Sequence, residues 1–311
     1  MNKIYHPCLF QGAKQLKNKK DYFEGWYFKN TNRKETISFI PGIYSNAEEK
    51  EAFIQIITHQ NSWYIPYPIT DFTYYDKPFG IKIGNNYFSD DTMVINLHNK
   101  CLEAQGTLIY QDRTPITHHL FSPNIMGIFS FIPKMECHHA ISSMKHSITG
   151  SIEINHEKIL FEKGIGYIEK DWGISFPSSY VWGQANCFPD DTISLFFAVA
   201  NIPFGRFHFQ GFICNFICSG KEYRFATYNG SKILKRETTK QGIHIIFKKN
   251  HFILEVWAKN NQTSQLKAPK QGQMKNHIQE SIQAEIEVTL KIGNHLIYQD
   301  KSNCAGLEIM S

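Results

Sequence analysis

The sequence lacks most of the short motifs that identify a cofactor, a metal ion or a nucleophile. It has no GxSxG turn of a serine hydrolase, no complete glycine-rich phosphate loop, and neither HExxH nor paired CxxC spacing for zinc. No apolar run approaches the roughly 20 residues that span a bilayer, and the first residues contain no apolar signal core. We therefore expect a cytoplasmic protein without an organic cofactor or a bound metal ion.

The sequence also gives no indication of disulfide bonds or of a nucleic-acid-binding surface. The seven cysteines are an odd number, so free thiols in a reducing compartment are expected. The net charge is +5, but the basic residues are scattered, and their densest run, at 14–20, precedes the first strand-like segment. Nucleic acid is therefore not an expected partner. The sequence leaves the oligomeric state open.

Apolar and polar residues alternate with a period of two along much of the chain. Residues 147–154 and 286–292 show this pattern, which is typical of strands with one buried face. Asn229-Gly230 and Gly293-Asn294 are tight-turn signals between such runs, whereas long amphipathic helical patterns are hard to find. The predicted fold class is all-β with antiparallel sheets.

A short segment of the chain also recurs at an offset of 156 residues, which is about half its length. When residues 26–40 are laid without gaps on residues 182–196, Trp26 falls on Trp182 and Asn30 falls on Asn186, with Thr-Ile-Ser following in both. Such agreement favours an internal duplication. A chain of 311 residues is long for one core. We predict two tandem β domains, at residues 1–165 and 166–311.

Candidate chemistry is concentrated in residues 164–188. There Glu169 and Asp171 flank Lys170 and precede Trp172, and four side chains then alternate along one predicted strand: Tyr180, Trp182, Gln184 and Asn186. In the first copy, Glu24 and Trp26 share a strand face in the same way. Carboxyl groups beside aromatic rings suit a site that protonates an apolar ligand. The alternatives are a packed loop whose acids bind backbone amides, and tryptophans that fill the core.

Two histidine pairs are candidate metal ligands. Adjacent residues of a strand point to opposite faces, so His118-His119 and His138-His139 each offer one ligand to any one site. Partly buried polar histidines are the favoured interpretation. His146, at the start of a predicted strand, is a weaker acid–base candidate.

Two segments resemble the hallmark segments of the tocopherol cyclase family: YFEGWYFK at 22–29 and GYIEKDWGISFPSSYVWGQANCF at 166–188. Further matches are HPCLFQG near the start, MECHHAISSMKHSITG at 135–150, FATYNG at 225–230 and AGLE at 305–308. The Asp-Trp-Gly with a following Trp is also similar to carotenoid hydratases and to lipocalin-like cyclases and Diels–Alderases. The resemblance implies two tandem lipocalin-like antiparallel β-barrel or sandwich domains, with a ligand site between or within them.

The resemblance also implies a reaction, because tocopherol cyclases close a chromanol ring on a prenylated benzoquinol without redox change. An acid must protonate the alkene, aromatic faces should stabilise the tertiary cation, and an acceptor should take the phenolic proton. We predict Asp171 as the acid, with Glu169 or Glu24 as alternatives, because a carboxyl among aromatic rings has a raised pKa. Lys170 would oppose that rise. The predicted substrate-binding side chains are Trp26, Trp172, Tyr180 and Trp182 for the cation, and Gln184 and Asn186 for the quinol hydroxyls.

Two functions therefore stay open. One is a cofactor-independent enzyme that closes a ring on a prenylated quinol or a related isoprenoid or polyene. The other is a noncatalytic, lipocalin-like binder of a lipophilic small molecule. In both cases the partner is a lipophilic small molecule, and the protein could make transient contact with a membrane surface. An acid buried in the ligand cavity distinguishes the enzyme from the binder.

Overall fold

The computed structural model describes residues 3–132, 135–204 and 207–310, and strands dominate all three segments. Helical structure is limited there to α1 (Ala13–Lys17) and to 3-10 turns at Lys3–Tyr5, Ile69–Asp71, Gly127–Phe131 and Thr227–Asn229. Within these segments, no helix is long and apolar enough to cross a membrane. The predicted all-β class is confirmed.

The first of two antiparallel sheets comes from the first half of the chain. Its strands are β1 (Tyr22–Thr31), β2 (Thr36–Ser45), β3 (Lys50–Ile57), β4 (Ser62–Pro68), β5 (Phe72–Asp76), β6 (Phe79–Ile83), β7 (Asn86–Ser89), β8 (Thr92–His98), β9 (Glu103–Thr114), β10 (Cys137–Ile154), β11 (Glu157–Leu160) and β12 (Gly164–Gly173).

The second sheet comes from the remainder of the chain. Its strands are β13 (Tyr180–Ala185), β14 (Ser194–Phe204), β15 (Phe207–Cys218), β16 (Lys221–Ala226), β17 (Lys232–Thr239), β18 (Gly242–Lys249), β19 (Phe252–Lys259), β20 (Ser264–Lys270), β21 (Gln273–Ile292) and β22 (His295–Met310).

Both sheets are built on the same plan. The first has the order β4-β3-β2-β1-β12-β10-β9-β8-β7-β6-β5, and the second has the order β16-β15-β14-β13-β22-β21-β19-β18-β17. In each, a four-stranded meander opens the sheet, and the last strand in sequence returns beside the first strand of that meander. The end strands β4 and β5 are joined by only the short turn Ile69–Asp71. The first sheet therefore curls into a nearly closed barrel.

Apolar side chains form separate clusters inside and between the sheets. Trp26 and Phe28 belong to the core of the first sheet, whereas Val181 and Phe197 belong to the core of the second. A third cluster, which includes Tyr27, joins the two sheets. Because strand side chains alternate between faces, each central strand contributes to its own core and to the layer between the sheets.

The repeated strand order agrees with the predicted duplication, but the gapless alignment is wrong by one residue. It paired Trp26 with Trp182, yet Trp26 packs inside the first sheet and Trp182 packs between the sheets. The residue equivalent to Trp182 is Tyr27, because Tyr27 lies opposite Glu169 as Trp182 lies opposite Glu308. A shift of one residue exchanges the two faces of a strand. The strand face that carries Trp26 and the strand face that carries Trp182 are therefore not equivalent in the two sheets.

The chain passes from the first sheet to the second between Gly173 and Tyr180. The predicted domain boundary, after residue 165, falls inside β12, the strand that lies between β1 and β10. The division of the chain into independently folding units stays a prediction.

Candidate functional site

A cavity of about 190 Å³ lies between the two sheets. The first sheet contributes Tyr27 and Ile40 to its wall, and the second contributes Tyr180, Ala198 and Ile213. Most of the lining side chains are apolar, and a few polar groups converge on the same space. Such a combination is typical of a site for a lipophilic small molecule.

The alternation of β12 decides which of its charged residues reach the cavity. Glu169 and Asp171 line the cavity, whereas Lys170 and Trp172 point to the opposite face, into the first sheet. The Lys170 ammonium lies 4.6 Å from the centre of the Trp172 ring. The cation that was expected to lower the pKa of the candidate acid is therefore on the other side of the strand.

Glu169 is the most deeply buried acid on the cavity wall. One carboxylate oxygen, Oε2, accepts hydrogen bonds from the Tyr167 hydroxyl at 2.5 Å and from the Trp182 indole N–H at 3.1 Å. Burial raises the pKa of Glu169 to about 7, and the neighbouring His139 opposes this rise only in part. A large share of these carboxyl groups therefore holds a proton near neutral pH.

His139 connects the two acids of β12. Its Nδ1 lies 2.8 Å from Asp171 Oδ1, and its Nε2 lies 3.5 Å from Glu169 Oε2. The ring stacks on Phe196, with 4.7 Å between ring centres. Burial alone would lower the pKa of His139, but the two carboxylates offset that effect and the pKa is raised. Asp171 thereby orients the imidazole beside Glu169.

The same three residues are close enough together to hold a metal ion. One ligand atom from each of His139, Glu169 and Asp171 lies within 4.8 Å of the others. One imidazole and two carboxylates are a common donor set for divalent metals. Neighbouring His138 points to the other face and stacks on Trp172 at 5.2 Å between ring centres, as expected for adjacent strand residues.

Glu24, the third predicted acid, lies away from the cavity in the first sheet. Its Oε1 is 2.5 Å from the Lys170 ammonium and accepts the Gln11 backbone N–H, and its Oε2 accepts the Tyr22 hydroxyl. Lys170 in turn donates to the backbone carbonyls of Pro7 and Leu9, at 2.8 and 2.6 Å. This network holds the N-terminal segment against the barrel, so the role of Glu24 is structural.

The structure brings together only part of the predicted aromatic and amide set. Tyr180 and Trp182 line the cavity, and Trp26 borders it while its indole N–H donates to the Cys8 carbonyl at 2.8 Å. Gln184 accepts a hydrogen bond from the Lys29 ammonium at 2.9 Å, and Asn186 donates to the Gly166 carbonyl at 2.8 Å. Both amides therefore hold backbone and side chains between the sheets, outside the cavity lining.

Two further acids were missed by the sequence interpretation. Glu280 on β21 accepts the Tyr27 hydroxyl at 2.5 Å, and Glu308 on β22 accepts the Tyr180 hydroxyl at 2.6 Å. Burial raises the pKa of Glu280 to about 8, and burial together with Glu280 raises that of Glu308 well above the usual range. A signal was present, since Glu280 stands in phase with the buried apolar residues of its strand.

The fold and the cavity define an all-β protein with two antiparallel sheets that enclose an acid-bearing, apolar site. The family model described as tocopherol cyclase-like matches residues 117–310. The chain belongs to this family.

Known proteins resemble the chain in sequence over a short stretch and in fold over most of its length. The chloroplastic tocopherol cyclase of Zea mays is 38% identical over 63 residues, which are 20% of this chain and 13% of that protein. The structure of CghA with Sch210972 has a TM-score of 0.61 at 8% identity, covering 93% of this chain and 88% of CghA. A candidate AttH from Nitrosomonas europaea has a TM-score of 0.51 at 10% identity, covering 93% of both chains. These structures share the fold.

Proposed function

We propose that this chain is an enzyme that closes a ring on a prenylated quinol or a related isoprenoid by protonating an alkene, without a cofactor. The observation that carries the proposal is Glu169, a buried carboxyl on the wall of an apolar cavity. It is hydrogen-bonded to Trp182 and has no Lys or Arg ion-pair partner among the described residues. The maize relative is a cyclase by name, and this likeness supports the same class of reaction here.

The reaction needs only proton transfers and one new bond. Glu169 donates its proton to the alkene carbon, which leaves a tertiary cation and a carboxylate. The quinol oxygen then forms a C–O bond with the cation as its own O–H bond breaks, and that proton restores the acid. The product is an isomer of the substrate. We assign Asp171 the role of orienting His139, and His139 that of a proton relay next to Glu169.

Aromatic rings beside Glu169 suit a transient cation. Tyr27 and Trp182 pack edge to face with 5.5 Å between ring centres, and both line the cavity. An aromatic face stabilises a desolvated cation by about 0.5–2 kcal/mol. Trp182 meets the acid with its indole N–H and also lines the cavity, so a cation formed next to Glu169 would lie beside an aromatic ring.

The size of the cavity bears on the substrate. Its volume of about 190 Å³ is below the roughly 300–1,000 Å³ of ordinary ligand pockets. A quinol ring with a short prenyl group suits this space better than a long chain, whose tail would extend beyond it. We therefore propose a short-chain prenylated quinol or a comparable polyene as substrate.

The experiment is a turnover assay with reduced prenyl-benzoquinols, followed by liquid chromatography and mass spectrometry. Cyclisation gives a new retention time at unchanged mass, and hydration adds one water. Wild-type protein should form product, and Glu169→Gln should reduce turnover about 100- to 10,000-fold because the general acid is lost. Glu285→Gln, which removes a carboxyl from an exposed ion pair with Lys301, is the matched control. Equal turnover by wild type and Glu169→Gln would refute the assignment.

A noncatalytic binder of a lipophilic molecule is the second candidate. It is favoured by the fact that the cavity-facing acids already accept hydrogen bonds, Glu169 from Tyr167 and Glu308 from Tyr180. Retention of prenyl-quinols by the protein without any product, across a series of chain lengths, would support this candidate and exclude the enzyme.

A further inference from the structure

Glu280 and Glu308 form a carboxyl pair on the second sheet. They are direct cross-strand partners on β21 and β22, so their side chains leave the sheet on the same face. Each has its own tyrosine donor, Tyr27 for Glu280 and Tyr180 for Glu308. The two donors come from different sheets. The pair therefore lies where the two sheets meet at the cavity.

Within the described residues, neither glutamate has a Lys, Arg or His ion-pair partner. The buried Lys29 ammonium donates to Gln184 and to the Cys304 carbonyl, and it opposes only part of the rise in the pKa of Glu280. Glu280 is almost fully buried, and Glu308 is half-buried. Two carboxylates this close cannot both be charged without a large cost, so the pair keeps at least one proton at neutral pH.

Glu308 is the member of the pair that opens to the cavity. Glu308 is part of the cavity wall, next to Tyr180 and opposite Trp182 in the strand register. Glu280 lies outside the cavity lining, where its side chain is hydrogen-bonded to Tyr27 and to Glu308. A ligand hydroxyl that reaches Glu308 therefore meets a carboxyl group whose proton is shared with Glu280.

We propose that the Glu280–Glu308 pair is the subsite that binds the hydroxyl of the lipophilic ligand, separate from the acid Glu169. A carboxyl pair that shares a proton both donates and accepts hydrogen bonds, and a phenolic hydroxyl does the same. Trp182 beside the pair offers a face for the aromatic ring that bears this hydroxyl. The ring hydroxyl is then held on the second sheet, and the prenyl alkene faces the first.

This inference rests on the proposed function only in taking a quinol as ligand, and it is tested by binding. The probes are a short-chain prenyl-hydroquinone and its dimethyl ether, each titrated into the 311-residue protein by calorimetry. Wild type should prefer the free hydroxyl by about 3- to 10-fold, the value of one or two hydrogen bonds. Glu308→Leu should abolish the preference, and Glu280→Gln should reduce it. Glu285→Gln, which removes a carboxyl from the exposed ion pair with Lys301, should retain it in full.

A second measurement covers variants that fold poorly. The infrared band of a protonated carboxylic acid should be present in wild type at neutral pH and weaken in Glu308→Gln, which preserves shape. Equal affinity of wild type for both probes, or an undiminished preference in both Glu308→Leu and Glu280→Gln, would overturn the assignment. Hydroxyl-selective binding without product would refute the enzyme and leave this subsite intact. Turnover without hydroxyl selectivity would do the reverse.

Discussion

Glu24 and Glu169 lie on neighbouring strands of the same barrel and share a local motif, a tyrosine two residues earlier that donates to the carboxylate. Both are buried. On the barrel face, however, Glu24 meets the Lys170 ammonium at 2.5 Å, whereas on the cavity face Glu169 meets an indole and an imidazole. The same local Tyr-x-Glu motif therefore carries a glutamate that forms a structural ion pair on one face of the barrel and a glutamate that holds a proton on the other. The partner that the opposing layer supplies makes the difference.

The comparison is broken most strongly by removing one member of the ion pair. Lys170→Met should lower the free energy of unfolding by about 3–5 kcal/mol, because it leaves the buried Glu24 carboxylate without its cation. Urea unfolding followed by circular dichroism measures the change. Adding Glu24→Gln to Lys170→Met should recover part of the loss. A loss below about 1 kcal/mol in the single variant would show that the pair is not structural.

The cavity face should be distinguished by its dependence on pH. The folded-state pKa values of Glu169 and Glu280, about 7 and about 8, lie above the ordinary glutamate value. Folded protein therefore holds protons that unfolded protein has released. The free energy of unfolding should fall as pH rises from about 5 to about 8, by up to about 1.4 kcal/mol per pH unit for each group.

Turnover should fall over the same interval, since Glu169 acts in its protonated form. Stability curves at a series of pH values, with Glu169→Gln as the comparison, check both statements. The variant should show a shallower slope. A slope that is unchanged in Glu169→Gln would contradict the assignment of the raised pKa to this group.

A smaller change sharpens the comparison without touching an acid. A Cβ atom added to Gly306 would lie 2.7 Å from the Trp182 ring, so Gly306→Ala should tilt the indole away from Glu169 and reduce turnover several-fold. Gly25→Ala also lies at the cavity, but its Cβ would have its nearest neighbour at 3.8 Å and should have little effect. Tryptophan fluorescence and the turnover assay report the two outcomes. Equal behaviour of the two variants would argue against a role for the indole position.

Much of the fold and part of the site could be predicted from local patterns. Alternation predicted the sheets, and the segment at 164–188 contains Glu169 and Asp171, which both line the cavity. Alternation also implied that Lys170 points away from these two acids. The Lys170 charge was nevertheless expected to lower the pKa of the candidate acid, because the residues are adjacent in sequence. The gapless repeat failed because one residue of slip preserves sequence identity while it reverses the face of the strand.

The sequence by itself determined the all-β class, the family and the segment that carries the acids, because these depend on local alternation and on contiguous motifs. Only the tertiary structure decided which acid meets a cation and which meets an aromatic ring. Glu280 and Glu308 lie on β21 and β22, the last two strands of the chain, whereas their tyrosine donors come from β1 and β13. Burial and charge at a carboxyl depend on side chains more than a hundred residues away, and no local pattern encodes that distance.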